Sequence, residues 1–77
     1  MMSAIREHDR VVLTTDLPAE KLAAGDVGTV LHIHGDGKAF EVEFVALDGE
    51  TVAITAVKRA QVRPVAHREI THARLVA

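Results

Sequence analysis

An all-β fold, a small five-stranded barrel, is what the sequence predicts, and three observations carry the prediction. Gly25-Asp26-Val27-Gly28-Thr29-Val30 is a glycine-aspartate turn running straight into a valine-rich strand. His34-Gly35-Asp36-Gly37-Lys38-Ala39 holds an Asp-Gly pair between alternating apolar residues, the strongest short-range hairpin signal. Lys58-Arg59-Ala60-Gln61 suits a single 3₁₀ turn before a short last strand. Residues 1–65 then form the barrel, and residues 66–77 a C-terminal extension that is no independent domain.

The first strand is Arg10-Val11-Val12-Leu13-Thr14, stopped by Leu17-Pro18, because proline cannot continue a ladder. Pro18 to Ala24 suits a turn or two of helix, with Pro18 at its start and Gly25 as terminator. With Asp36-Gly37 as a type I′ turn, Ile33 faces Phe40, Leu31 faces Val42 and Thr29 faces Phe44, while His32 lies opposite Glu41 on the other face. The next hairpin takes a three-residue loop, Leu47-Asp48-Gly49, with Gly49 left-handed, which pairs Phe44 with Val52 and Val42 with Ile54. A two-residue loop at Asp48-Gly49 would put Phe44 opposite Ala53 and turn Val52 and Ile54 outward. The last strand is Val62-Arg63, closed by Pro64. Five strands with a 3₁₀ turn before the fifth make an SH3-like barrel. Its expected core is Val11, Leu13, Val27, Leu31, Ile33, Phe40, Val42, Phe44, Val52 and Ile54.

At 77 residues such a chain buries only about 60% of its unfolded surface. Self-association is therefore expected. The aromatic residues are Phe40 and Phe44, so packing rests on aliphatic strands, and the absence of cysteine excludes a disulfide framework and fits a reducing compartment. The start, Met1 to Glu7, lacks a long apolar core, and no apolar run reaches membrane-span length. The expected location is the cytoplasm, with no membrane partner.

The net charge of −2 conceals an asymmetry. Residues 1–50 hold four basic and ten acidic side chains, residues 51–77 five basic and one acidic, giving balances of −6 and +4. The basic end is Lys58, Arg59, Arg63, Arg68 and Arg74, with His67 and His72 among them. It suits pairing with the chain's own acidic strands, with a second copy or with an acidic partner.

Glu7 to Leu13, Leu17-Pro18, Gly25 to Val30, Phe40-Glu41-Val42-Glu43-Phe44 and Gln61-Val62-Arg63-Pro64-Val65, in that order, resemble the small bacterial family catalogued as domain of unknown function 4926. The resemblance spans about residues 5 to 76, implies a compact β domain and carries over no catalytic residue. More distantly, Gly25 to Val30 resembles the KOW element of ribosomal and transcription factors and the SH3-like domain of the nitrile hydratase β subunit.

Four groups of residues carry possible chemistry. His32 and His34 share a strand face, with Glu41 opposite His32, the beginning of a metal site that still needs a third ligand such as His8 or His72. A half-exposed polar sheet face accounts for them more simply. Glu41 and Glu43 share a face, but paired-carboxylate catalysis needs a cleft between them, and a barrel this small has hardly room for one. The KOW-like turn suggests nucleic acid, yet the chain has no Trp or Tyr, and both Phe are assigned to the core. The tail fits either a strand or a short helix and brings Ile70 and Leu75 beside its basic residues.

The expectation is a non-enzymatic protein-interaction module without a cofactor, forming a homodimer. An accessory, antitoxin or immunity-type role is its setting, a KOW-like nucleic-acid binder the alternative, and a metal-binding or catalytic protein the third reading. Its contact residues would be Lys58, Arg59, Arg63, Arg68, Ile70, His72, Arg74 and Leu75. Gly25, Gly28, Asp36, Gly37, Asp48 and Gly49 would be structural.

Overall fold

A computed structural model describes residues 4–76. Met1, Met2, Ser3 and Ala77, on which the reading of the N-terminal start and of a helical tail partly drew, lie outside the described residues. The strands are β1 (Arg10–Leu13), β2 (Val27–His34), β3 (Ala39–Val45), β4 (Thr51–Lys58) and β5 (Val62–Pro64), and 3₁₀ turns cover Pro18–Glu20, Gly35–Gly37 and Arg59–Gln61. The all-β fold with its turn directly before the last strand is the one the sequence predicts.

The strands form one antiparallel sheet in the order β4-β3-β2-β1-β5. β4 and β5 are therefore consecutive in the chain yet lie at opposite edges. A flat five-stranded sheet is about 19 Å across, whereas the turn that joins the two edges rises only about 6 Å. The sheet must curl back on itself. Inside the curl Val11, Leu13, Leu22, Val30, Phe40, Val42, Phe44, Val57 and Val62 form one buried cluster.

The loop after β1 departs from the helix expected over Pro18 to Ala24. Only one 3₁₀ turn forms, and it ends at Lys21 in a left-handed conformation rather than at Gly25. A closed backbone pair between Leu17 and Leu22 ties the loop off and seats Leu22 in the core. Leu22 is absent from the expected core.

The β2–β3 register follows the expected pairing next to the turn, with His34 opposite Ala39, Ile33 opposite Phe40 and His32 opposite Glu41. Asp36 and Gly37 both take the positive φ of a type I′ turn, at 58° and 90°. A bulge at Leu31 then shifts the ladder, so Val30 faces Val42 and Thr29 faces Glu43. Strict alternation would bury either Val27, Leu31 and Ile33 or Gly28, Val30, His32 and His34. By taking Gly28 and Val30 from one set and Ile33 from the other, the bulge fills the core and leaves both imidazoles in water. Leu31, expected inside, is 38% exposed, and Val27 is half-buried.

The second hairpin has the expected Leu47-Asp48-Gly49 loop. Gly49 is left-handed at φ 93° and donates its N–H to the Ala46 carbonyl. A further bulge beyond it, at Val52, overturns the expected pairings: Phe44 faces Ala53, Val42 faces Thr55 and Phe40 faces Val57. Ala53 takes the place opposite Phe44, and Val52 stays partly buried against the core. Ile54, expected in the core, points outward and is 53% exposed. Because nothing lies within 4 Å of a Cβ built at Gly49, Gly49→Val meets backbone strain alone. It should cost roughly 1–2 kcal/mol, against about 0.5 for Glu50→Val on the same exposed loop, in chemical denaturation. Equal costs would contradict the left-handed turn.

Pro64 extends β5 by one residue and pairs with Val11 at the sheet edge. The remainder, through Val76, is neither strand nor helix, in contrast to the regular element expected of the tail. Its order comes from side chains.

Candidate functional site

Three surfaces gather the residues that the sequence singles out. On the outer face of β2, His32 and His34 stand with ring centroids 4.6 Å apart. Glu41 reaches His34, its Oε1 3.4 Å from Nε2, although its backbone faces His32. His32 is met instead by Glu7, whose Oε2 is 3.5 Å from Nδ1. Glu7 is the member of this group that sequence reasoning missed. Ahead of β1 the backbone is irregular, with His8 at φ 75° donating its N–H to the Val30 carbonyl while Val30 donates to the Asp9 carbonyl, and this stretch brings Glu7 beside His32. A long loop joins β1 to β2, so no turn signals that placement. No three His, Cys, Asp or Glu among the described residues gather into a metal-binding group. Glu43 accepts a 2.9 Å hydrogen bond from the Thr51 hydroxyl rather than standing beside Glu41 as a catalytic pair.

The basic end is divided. Arg63 forms a two-pronged ion pair with Glu69, which also accepts from the Ala66 N–H at 2.9 Å. These bonds, that of Arg63 first, hold the Glu69 carboxyl down at about 2. Arg74 donates from Nε and Nη2 to the two carboxylate oxygens of Asp26 and from Nη2 to the Lys21 carbonyl at 3.1 Å. Arg74 lowers the Asp26 carboxyl, and burial opposes it. Lys58, Arg59, Arg68 and His72 are exposed and take part in none of the ion pairs among the described residues. The tail is thus fastened in cis, and with it Ile70 and Val65 line a groove over Val12 and Val27. Val11 and Leu13 are buried in the core cluster, and Val12 between them, on the groove side, is 4% exposed. Ile70 and Leu75 remain 90% and 96% exposed.

Truncation after Val65 should uncover Val12 and cost about 1–2 kcal/mol. The cost should depend on pH. Glu69 and Asp26 have folded values below their ordinary 4.5 and 3.8, so their contribution is present above those values and lost as pH falls through the folded ones. The melting-temperature gap between full-length and truncated protein should narrow from about pH 4.5 toward 2. A gap that does not change would rule these pairs out as the fastening.

The third surface is the β4 edge. β4 pairs with β3 on one side only, and Thr51 to Val57 carries no charge. Val45, Leu47 and Ile54 are exposed around it. The sequence argument missed this edge because it assigned Ile54 to the core. No helix among the described residues is long and apolar enough to cross a membrane.

No curated protein and no solved structure matches the chain. The ordered motifs from Glu7 through Pro64, now seen as β1, the turn into β2, β3 and β5, coincide with the family model described as Domain of unknown function (DUF4926), which matches residues 7–64, and the chain belongs to that family.

Proposed function

We propose that the protein is a non-enzymatic, cytoplasmic interaction module that binds a second copy of itself through the β4 edge. The single observation that supports this most is an eight-residue edge strand with open hydrogen-bonding positions and no charge before Lys58. Edge strands of soluble proteins are ordinarily short, charged or interrupted by proline, since an unguarded edge recruits another strand. Apart from the bulge at Val52 and Lys58 at its end, this one has none of those protections.

The second copy fits because the strand is self-complementary. Antiparallel pairing about Ile54 sets Ile54 against its own counterpart, Ala53 against Thr55, Val52 against Ala56 and Thr51 against Val57. A two-fold interface of this kind needs one patch that matches itself, and an uncharged strand meets its copy without repulsion. Lys58 and Arg59 then flank the contact and offer a basic rim to an acidic protein partner, the setting in which an accessory or antitoxin role belongs.

Light scattering on full-length protein at high micromolar concentration tests the proposal. A dimer is expected, only weakly sensitive to salt because Thr51 to Val57 is uncharged, and Ile54→Lys should convert it to monomer with little change in melting temperature, since Ile54 is outside the core. A monomeric wild type, or an Ile54→Lys variant that still dimerises, would refute it. A salt-sensitive dimer would point to the basic residues instead.

A further inference from the structure

We infer that His32 and His34 form a bidentate site for a divalent late-transition ion of the Cu²⁺ or Ni²⁺ type. Metal to imidazole nitrogen is about 2.0–2.1 Å, which places each ring centre roughly 3.2 Å from the ion. Two rings at adjacent, right-angled positions of a square or octahedral ion then have centres about 4.5 Å apart. In the folded protein the separation is 4.6 Å. The centroid separation therefore matches the one a shared ion imposes, in a T-shaped arrangement with the ring planes at 70°.

The carboxylates stand where outer partners of metal-bound histidines stand. Glu7 faces Nδ1 of His32 and Glu41 faces Nε2 of His34. A carboxylate that accepts the N–H of one ring nitrogen fixes the tautomer and makes the other nitrogen the better ligand. With Glu41 accepting from Nε2 of His34, Nδ1 of His34 is left for an ion, while Glu7 stands beside His32 without a hydrogen bond and leaves either of its nitrogens free to serve. The two glutamates come from before β1 and from β3, so three parts of the chain support the pair, and the bulge at Leu31 keeps both rings on the outer face. Among the described residues no third protein ligand joins them, which leaves the remaining positions to water. Such an open, nitrogen-rich site follows the order of intrinsic affinities, highest for Cu²⁺.

The test titrates full-length protein with CuCl2 and with NiCl2 near neutral pH in a non-coordinating buffer, by calorimetry. One saturable equivalent is expected for the wild type. His32→Asn and His34→Asn should each weaken binding tenfold or more, and His8→Asn, His67→Asn and His72→Asn should leave it unchanged. Both rings are exposed, so these variants should keep the wild-type melting temperature. A measurement that needs no variant is the NMR spectrum of the histidine rings, in which substoichiometric Cu²⁺ should broaden His32 and His34 first. Absence of a saturable equivalent, retention of wild-type affinity in the His32→Asn/His34→Asn double variant, or earlier broadening of another histidine would each overturn the assignment.

Discussion

Phe44→Ala is expected to cost about 3–5 kcal/mol, the usual range for removing a buried ring whose neighbours cannot collapse into the space. Phe44 is 2% exposed. Across the β3–β4 ladder it faces Ala53, and on the other side its ring lies over Gly28, so both adjoining residues are too small to fill the void. A chain of 77 residues has a total stability of about 4–12 kcal/mol. The loss therefore removes a large part of it, and the melting temperature should fall by more than about 12 °C. Leu31→Ala supplies the contrast, because the bulge puts Leu31 at the surface, and its cost should stay within about 1 kcal/mol. Thermal unfolding followed by circular dichroism separates the two. Similar shifts for both would restore the unbulged register, in which Leu31 and Phe44 share the core.

The sequence was legible where local chemistry decides and illegible where distant packing does. Asp36-Gly37 and Leu47-Asp48-Gly49 select their turns through backbone φ alone, and the pairings next to the first turn follow from it. Both bulges lie farther along the ladders. On β2 the bulge lets Gly28, Val30 and Ile33 share the inner face while His32 and His34 stay outside, on β4 it sets Ala53 rather than Val52 against Phe44, and neither choice shows in one strand alone. Val12 and Leu22 illustrate the same limit. Val12 lines a groove shared with residues more than fifty positions later, and Leu22 is buried by a loop closure that periodicity cannot signal.

The candidate surfaces divide along the same line. His32 and His34 share a face by strand periodicity, so they could be named from the sequence, and Glu41 follows from the hairpin. Charge asymmetry indicated that the basic end would meet acidic groups, but Arg74 finds Asp26 across 48 residues of chain, a pairing that net charge cannot specify. The β4 edge was hidden by a single shift in register. With Ile54 inside, the strand reads as an ordinary core element; with Ile54 outside, it reads as an unguarded edge.

Gly28→Val should be the most disruptive single substitution in β2. Gly28 has ordinary strand geometry, so its need for glycine is one of space. A Cβ there would lie 2.5 Å from Cγ1 of Val42, 2.8 Å from Cε2 of Phe44 and 2.9 Å from the carbonyl oxygen of Glu43. The two side chains can shift only into a filled core, and the carbonyl belongs to the central strand of the β2–β3–β4 ladder. Relief requires β2 and β3 to move apart. Gly28→Ala should cost about 1–3 kcal/mol and Gly28→Val more, enough to leave much of the protein unfolded at 37 °C. Gly25→Ala is the matched control, since a Cβ at Gly25 meets nothing within 4 Å and suffers only from the φ of 95°. In a Phe44→Ala background part of the penalty for Gly28→Ala should disappear, because one of the three clashes has gone, and the coupling should be about 0.5–3 kcal/mol. Full additivity of the two substitutions in denaturant titrations, or a Gly28→Ala protein as stable as the wild type, would mean that β2 and the Phe44 ring do not approach this closely.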